Sequence, residues 1–297
     1  MPCIKCPVSV TDRPQGESIP KVIHVTFPDK QTLPEAIRSN LAFIRQLNPD
    51  HELRLYDNVD CEFFIENHYG KEILNVYLLI DPDYGAARAD LFRYLCIYQA
   101  GGVYLDCKSR PLKPFSSVVR PDDRYIIAQW NSKVSNGRYV GWGDQKALGH
   151  VGGGEFQQWH VIGCAGHPFL KSVINRVLRN IVVYSPFLHG HGRAAVIHTT
   201  GPTAYTLAIL PILSCYPHRR VDIEAEFGIS YSMFPSNAPL SHHQLLGSHY
   251  ATLIHPLVSQ GDFLDWLYTR SIDLYLRARA GVRNILKSLR LALGSVK

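Results

Sequence analysis

Asp90, Arg93, Asp106 and Lys108 fall within one stretch, ARADLFRYLCIYQAGGVYLDCKS, residues 87–109. Carboxylates accept hydrogen bonds from ligand hydroxyls, a guanidinium forks onto phosphate, and an ammonium neutralises an anionic group beside it. Asp90 and Arg93 are three residues apart and share a helix face, so a plain i,i+3 ion pair is the bland alternative. Gly101-Gly102 then reverses the chain. A strand after that reversal runs back along the helix and carries Asp106 towards the same polar face. Two acids and an arginine gathered at a strand end suit a hydroxylated, phosphorylated ligand.

The pattern around this stretch predicts the elements that must position it. Residues 21–27 and 103–106 are short, nearly continuous apolar runs, as expected of strands buried on both faces. Residues 51–56 alternate as a second strand, and 124–130 and 159–163 complete the set. Helices are expected over 33–47, 61–68, 71–79, 86–99 and from His167-Pro168 to about Val183, with another opened by Thr200-Gly201-Pro202. Residues 131–158, rich in Gly and Trp and including Gly152-Gly153-Gly154, read as loop near the site; 221–256 reads as short strands and turns. Alternating strands and helices imply an α/β fold around a mainly parallel sheet flanked by helices. In such sheets ligands sit beyond the carboxyl ends of the strands. Phe27, Asp57 and Asp106 lie at or just after such ends.

Composition bounds the reading. The 297 residues are 46% hydrophobic and 19% charged, ordinary for a globular chain. The net charge is +6, and the tail from Tyr268 accounts for all of it, with seven basic residues and one acid, Asp273. Residues 1–267 are therefore near neutral, which argues against nucleic acid as a partner. Residues 1–18 are expected to form a flexible leader with no apolar signal-peptide run. Seven scattered cysteines fit reduced thiols and a cytoplasmic setting. Cys3-Ile-Lys-Cys6 is a lone C-x-x-C, read as neither metal nor redox site.

Four segments carry a resemblance: IPKVIHVTF (19–27), ARADLFRYLCIYQAGGVYLD (87–106), CAGHPFL (164–170) and TTGPTAYTLAI (199–209). In order and spacing they resemble the DXD-motif sugar transferases of glycosyltransferase family 32, the fungal mannosyltransferase and capsular type, over residues 19–260. The resemblance implies a GT-A-type, Rossmann-like fold and retaining transfer from a nucleotide-diphosphate sugar, UDP- or GDP-linked. The acceptor would be a carbohydrate or lipid-linked hydroxyl. It makes residues 19–261 the catalytic domain and places the base against the His24, Val25 and Thr26 backbone. Asp90 would hold ribose or base, and Arg93 the diphosphate or sugar. Gly101, Gly102, Gln158, His160, Thr200, Gly201 and His255 would also contact the donor. Asp106 would be the first position of a pair that binds Mn²⁺ or Mg²⁺, with His255 or His249 as further candidate ligands.

The chain departs from that pattern at Asp106-Cys107-Lys108, because an ammonium cannot ligate a metal. Three readings follow: a metal held by Asp106 with Lys108 turned aside; Lys108 itself neutralising the departing diphosphate; or a silent site. The last supplies the alternative function, a nucleotide-sugar-binding or scaffold protein without catalysis. His242, His243, His249 and His255 lack zinc spacing. The tail, 262–297, reads as a basic amphipathic helix. It either packs on the core or contacts an anionic membrane surface through 268–297.

Overall fold

The computed structural model describes residues 8–130, 139–234, 250–259 and 261–294, with side chains omitted at 262 and from 280 onward. Three parallel strands form one side of its main sheet. The apolar run at 21–27 forms β1 (Val22–Thr26), which is followed by α1 (Glu35–Leu47) and β2 (Glu52–Tyr56). Next come α2 (Asn58–Leu78), α3 (Gly85–Ala100) and β3 (Gly102–Asp106). The two helices expected at 61–68 and 71–79 are one run kinked at Gly70, whose φ of 80° interrupts the helical backbone.

A short strand β4 (Arg110–Pro111), the turn of helix α4 (Phe115–Val118), β5 (Tyr125–Ala128) and β6 (His160–Gly163) follow. Then come α5 (Pro168–Val182), α6 (Pro186–His189), α7 (Gly192–Thr199) and α8 (Pro202–Ile209). The chain continues through β7 (Arg219–Val221) and β8 (Ile229–Ser230) to α9 (Asp262–Gly294). The strand order of the main sheet is β2-β1-β3-β6-β5-β7, with β6 antiparallel to its neighbours and the other pairings parallel. This is the mainly parallel, helix-flanked α/β architecture expected from the sequence. Strands β4 and β8 pair separately.

Helix α3 is the central packing element. Its residues from Leu91 to Tyr98 are buried without interruption, since it lies between the sheet and the helices α2 and α5. A helix apolar on nearly all sides belongs inside a core. Asp90 and Arg93 are therefore carried into the interior by the element they sit on.

The leader expected at 1–18 is not free over residues 8–18. Val10 is buried, and its N–H donates to Asn175 Oδ1 at 3.0 Å. Thr11 O accepts from Tyr98 Oη, and the Gly16 N–H donates to Ala165 O. Burial of Val10 and Ile19 explains the docking. Residues 1–7, with Cys3 and Cys6, lie outside the described set.

Candidate active site

Strands β1, β2 and β3 run parallel and end together, with Thr26 opposite both Tyr56 and Asp106. Because β6 runs the other way, its start arrives at this same edge. The Asp106 N–H donates to Trp159 O at 3.0 Å, and Gln158 is thereby delivered beside α3. The carboxyl edge thus receives Asp106 from β3, Gln158 from the lead into β6, and Asp90 and Arg93 from α3.

Arg93 is the hub, with its side chain 4% exposed. Its Nη2 lies 3.1 Å from Asp90 Oδ1 and 3.1 Å from Asp106 Oδ1. Nη1 donates to the Gln158 carbonyl oxygen at 2.6 Å and to Gln158 Oε1 at 2.8 Å, and Nε donates to Ala89 O. The guanidinium also lies over the Tyr104 ring, 4.8 Å from its centroid. All three nitrogens are engaged inside the protein. Arg93 is therefore not presented to a diphosphate, contrary to the expectation, because α3 buries it.

Asp90 is held the same way. Its Oδ1 accepts from Gln158 Nε2 at 3.2 Å and its Oδ2 from Thr200 Oγ1 at 2.9 Å. Burial pushes its carboxyl up to about 6, against the lowering pull of Arg93. It faces Arg93 and Thr200 rather than a ribose. Tyr94 closes the layer by donating towards Gln158 Oε1 and Thr200 O. Gln158 and Thr200 are thus brought into the ionic group, as parts of its buried tier.

The outward tier is smaller. Lys108 Nζ lies 2.9 Å from Asp106 Oδ2, with side chains 13% and 18% exposed respectively. The ammonium also sits over the Tyr231 ring, 4.6 Å from its centroid. Burial pulls the Lys108 pKa down, but the Asp106 charge and Tyr231 together outweigh it, so the pKa is raised and the ammonium stays charged. Asp106–Ser109 is a turn closed by the Ser109 N–H on Asp106 O at 2.8 Å. Asn40 of α1 locks it by donating to the carbonyls of Cys107 and Ser109. Tyr231 belongs to an aromatic cluster with Trp130, Trp142 and Trp159.

Several sequence-predicted site residues are elsewhere. Gly101 caps α3 and Gly102 begins β3, the end opposite Asp106, about 13 Å away at the usual strand rise. Their φ angles of 67° and 106° serve the reversal. His24 is fully buried, and its Nε2–H donates to Gly101 O, leaving Nδ1 to accept from Tyr56 Oη. Burial lowers its pKa to about 4. His24 and Val25 also sit in the middle of β1, paired on both sides with β2 and β3. Their backbone is committed to the sheet, and only the exit at Thr26 opens on the carboxyl edge.

His160 is 1% exposed, with its pKa lowered to about 3 by burial. It is close enough to feel Asp106 and Arg93 but points into the interior, with Nε2 on Gln157 Oε1. Gly201 caps α8, and its N–H donates to Val196 O; a Cβ there would meet Val196 O and Ile197 Cα at 3.0 Å. It is a packing glycine. His255 lies with Asp81 and Asp83, 3.6 and 3.8 Å from their carboxylate oxygens, and its carbonyl accepts from Tyr84 Oη. That places it beside the entry to α3 rather than in the Arg93 network. The ligand atoms of this trio lie within 4.8 Å of one another. His242, His243 and His249 lie outside the described residues.

Sequence reasoning missed Tyr94, Tyr104, Asn40 and Tyr231. Tyr104 was findable, since it is two residues before Asp106 and shares its strand face. Tyr231 had no local signal, because it reaches Lys108 from far along the chain.

An α/β protein whose mainly parallel sheet opens on a charged cluster at its carboxyl edge belongs to the class that binds ligands there. Comparisons with known proteins sharpen that statement. A family model described as a glycosyltransferase sugar-binding region containing DXD motif matches residues 34–133, which include Asp90, Arg93, Asp106 and Lys108. The initiation-specific alpha-1,6-mannosyltransferase of Candida albicans is 24% identical over 177 residues, covering 55% of this chain and 43% of that protein. Inositol phosphoceramide mannosyltransferase 3 of Schizosaccharomyces pombe is 27% identical over 237 residues, covering 77% and 54%. The chain spans about half the length of the curated relatives it matches. Among solved structures, the PaToxG glycosyltransferase superposes with a TM-score of 0.47 at 16% identity, covering 67% of this chain and 73% of its own. The UDP-bound glycosyltransferase domain of the YGT toxin gives 0.46 at 10% identity, covering 74% and 84%.

Proposed function

We propose that the protein is a glycosyltransferase that moves a sugar from a nucleotide-diphosphate donor to an acceptor hydroxyl, with retention at the anomeric carbon. One observation carries the reading: the family model spans the segment whose ionic residues meet at the carboxyl edge, where Asp106 and Lys108 are the least buried members of the cluster. In the reaction the bond from anomeric carbon to diphosphate oxygen breaks, and the diphosphate departs with the electron pair. The acceptor oxygen forms the new bond on the same face, and its proton passes to the departing diphosphate. Positive charge at that face stabilises the leaving group as it develops. Asp106 is tied to two cations and Asp90 is buried, so neither carboxylate is posed as an enzymic nucleophile.

The relatives are named mannosyltransferases, so mannose linked to GDP or UDP is the first donor to test, with glycans and glycolipids as acceptors. The test is release of nucleoside diphosphate and labelled product from a panel of GDP- and UDP-sugars. Turnover should vanish in Asp106→Asn. Turnover of that variant at the wild-type rate removes Asp106 from the mechanism, and binding without release by the wild type favours the silent scaffold.

We propose in addition that α9 brings the protein to an anionic lipid surface. Phe263, Leu264, Trp266 and Leu267 are 70%, 52%, 55% and 45% exposed at its start. Phe187 and Leu188 of α6, joined to α9 through Tyr268, extend the apolar patch. The basic residues of the helix follow directly. Apolar side chains beside cationic ones suit the headgroup region of a bilayer.

A further inference from the structure

We infer that Lys108 supplies the positive charge that a divalent ion supplies where this turn carries two acids, so that the protein engages a diphosphate without a metal. The inference rests on the transferase reading and assigns to its site a ligand chemistry: a nucleoside diphosphate met by an ammonium.

A divalent cation of the Mn²⁺ or Mg²⁺ kind needs several oxygen ligands in its first shell. The turn offers Asp106, and both of its oxygens already face fixed cations: Arg93 Nη2 at 3.1 Å from Oδ1 and Lys108 Nζ at 2.9 Å from Oδ2. The oxygens of Asp90 are bonded to Gln158 and Thr200. An ion brought to this turn would meet two buried positive charges in place of a second carboxylate. Among the described residues the donor set does not fit the metal.

The lysine, by contrast, is built in. An incidental strand-end lysine would hold its head in water. Lys108 is instead 13% exposed, pinned by Asp106 and by the Tyr231 face. Its carbonyl is bonded by the Met233 N–H, so the backbone on both sides of the head group is held. Asp106 then has a different task from ligation. It orients the ammonium, and Arg93 orients Asp106 from behind. An ammonium has three donors, and the Asp106 pair uses one of them. The ammonium is thereby fixed at the carboxyl edge of the sheet, where a diphosphate would sit, with little water around it.

Calorimetric titration of UDP and of GDP, each in excess EDTA and in Mn²⁺, tests the inference together with Mn²⁺ uptake followed by electron paramagnetic resonance. Wild type should bind one nucleotide equally well in both media and take up no more Mn²⁺ than Asp106→Asn, a comparison that subtracts any ion held by Asp81, Asp83 and His255. Lys108→Met, which keeps the stem, should weaken binding about ten- to a hundredfold, the worth of a charge-assisted hydrogen bond, and Lys108→Arg should retain most of it. Lys108→Asp should lose binding in EDTA, regain it in Mn²⁺, and take up Mn²⁺ without nucleotide. Wild-type binding that needs Mn²⁺, or unchanged affinity in a folded Lys108→Met, overturns the inference and leaves the transferase reading standing. Failure of both nucleotides to bind, in EDTA and in Mn²⁺ alike, overturns both.

Discussion

Asp90 separates the roles that its residue type left open. A carboxyl with its native pKa raised from 3.8 to about 6 holds its proton over a range where the unfolded chain has released it. The native state therefore binds more protons between about pH 4 and 6, and the stability this group contributes is lost as pH rises through 6. Asp90→Asn removes that slope. Its unfolding free energy relative to wild type should improve by about 1–3 kcal/mol between pH 4 and pH 7. Urea titrations of both proteins at the two pH values measure this, and parallel profiles would contradict the assignment. Arg93→Met leaves Asp90 buried without its cation and should cost about 3–5 kcal/mol. That loss, read as a lower melting temperature in the absence of any ligand, marks Arg93 as a residue that positions Asp106.

At the scale of elements, the α3–β3 reversal and the Asp106 turn sit at opposite ends of one strand and answer to different tests. A Cβ on Gly102 would lie 2.5 Å from Val22 O, at a φ of 106° that L residues avoid. Gly102→Ala should therefore destabilise the fold by about 2 kcal/mol or more. Its folded fraction should bind nucleotide with wild-type affinity, and a large loss of affinity there would return the glycines to the site. Tyr231→Ala removes the face under Lys108, whereas Tyr231→Phe keeps it. We expect weaker nucleotide binding in the first and near-normal binding in the second. Equal affinity in both would show that Lys108 is held by Asp106 alone.

For the molecule as a whole, the charge asymmetry concentrates in the stretch from Tyr268 to Lys297 while residues 1–267 are near neutral. Cosedimentation with vesicles containing phosphatidylserine should retain the protein at low salt and release it at high salt, since the attraction is screened. Trp266→Ser together with Leu267→Ser should weaken retention without affecting nucleotide binding. Retention that is equal on neutral vesicles, or unchanged in the double variant, would remove the lipid contact. The run Gly192–Cys215 is long and apolar enough for a membrane span by composition, yet it is 61% buried and broken between α7 and α8 at Gly201-Pro202. Its apolarity is explained by packing against α5.

What the amino-acid sequence determined by itself is local. The strand and helix order, the burial of α3 and the spacing of Asp90, Arg93 and Asp106 all follow from periodicity, glycine placement and helix geometry over a few residues. The pairing of Asp90 with Arg93 was legible because three residues is most of a helical turn. Which of these groups is sealed in the interior and which lies nearer the surface was decided only by tertiary structure. Burial depends on what packs over a side chain, and the covering residues come from elsewhere: Gln158 before β6, Thr200 after α7, Tyr231 after β8. Gly101 and Gly102 looked like site residues because they share a segment with Asp106, and His24 because the resembling segment 19–27 carries it. Strand direction sends them to the far edge or into the core. Lys108 departs from the resembling motif and left three readings open; the fold sets its ammonium between Asp106 and Tyr231.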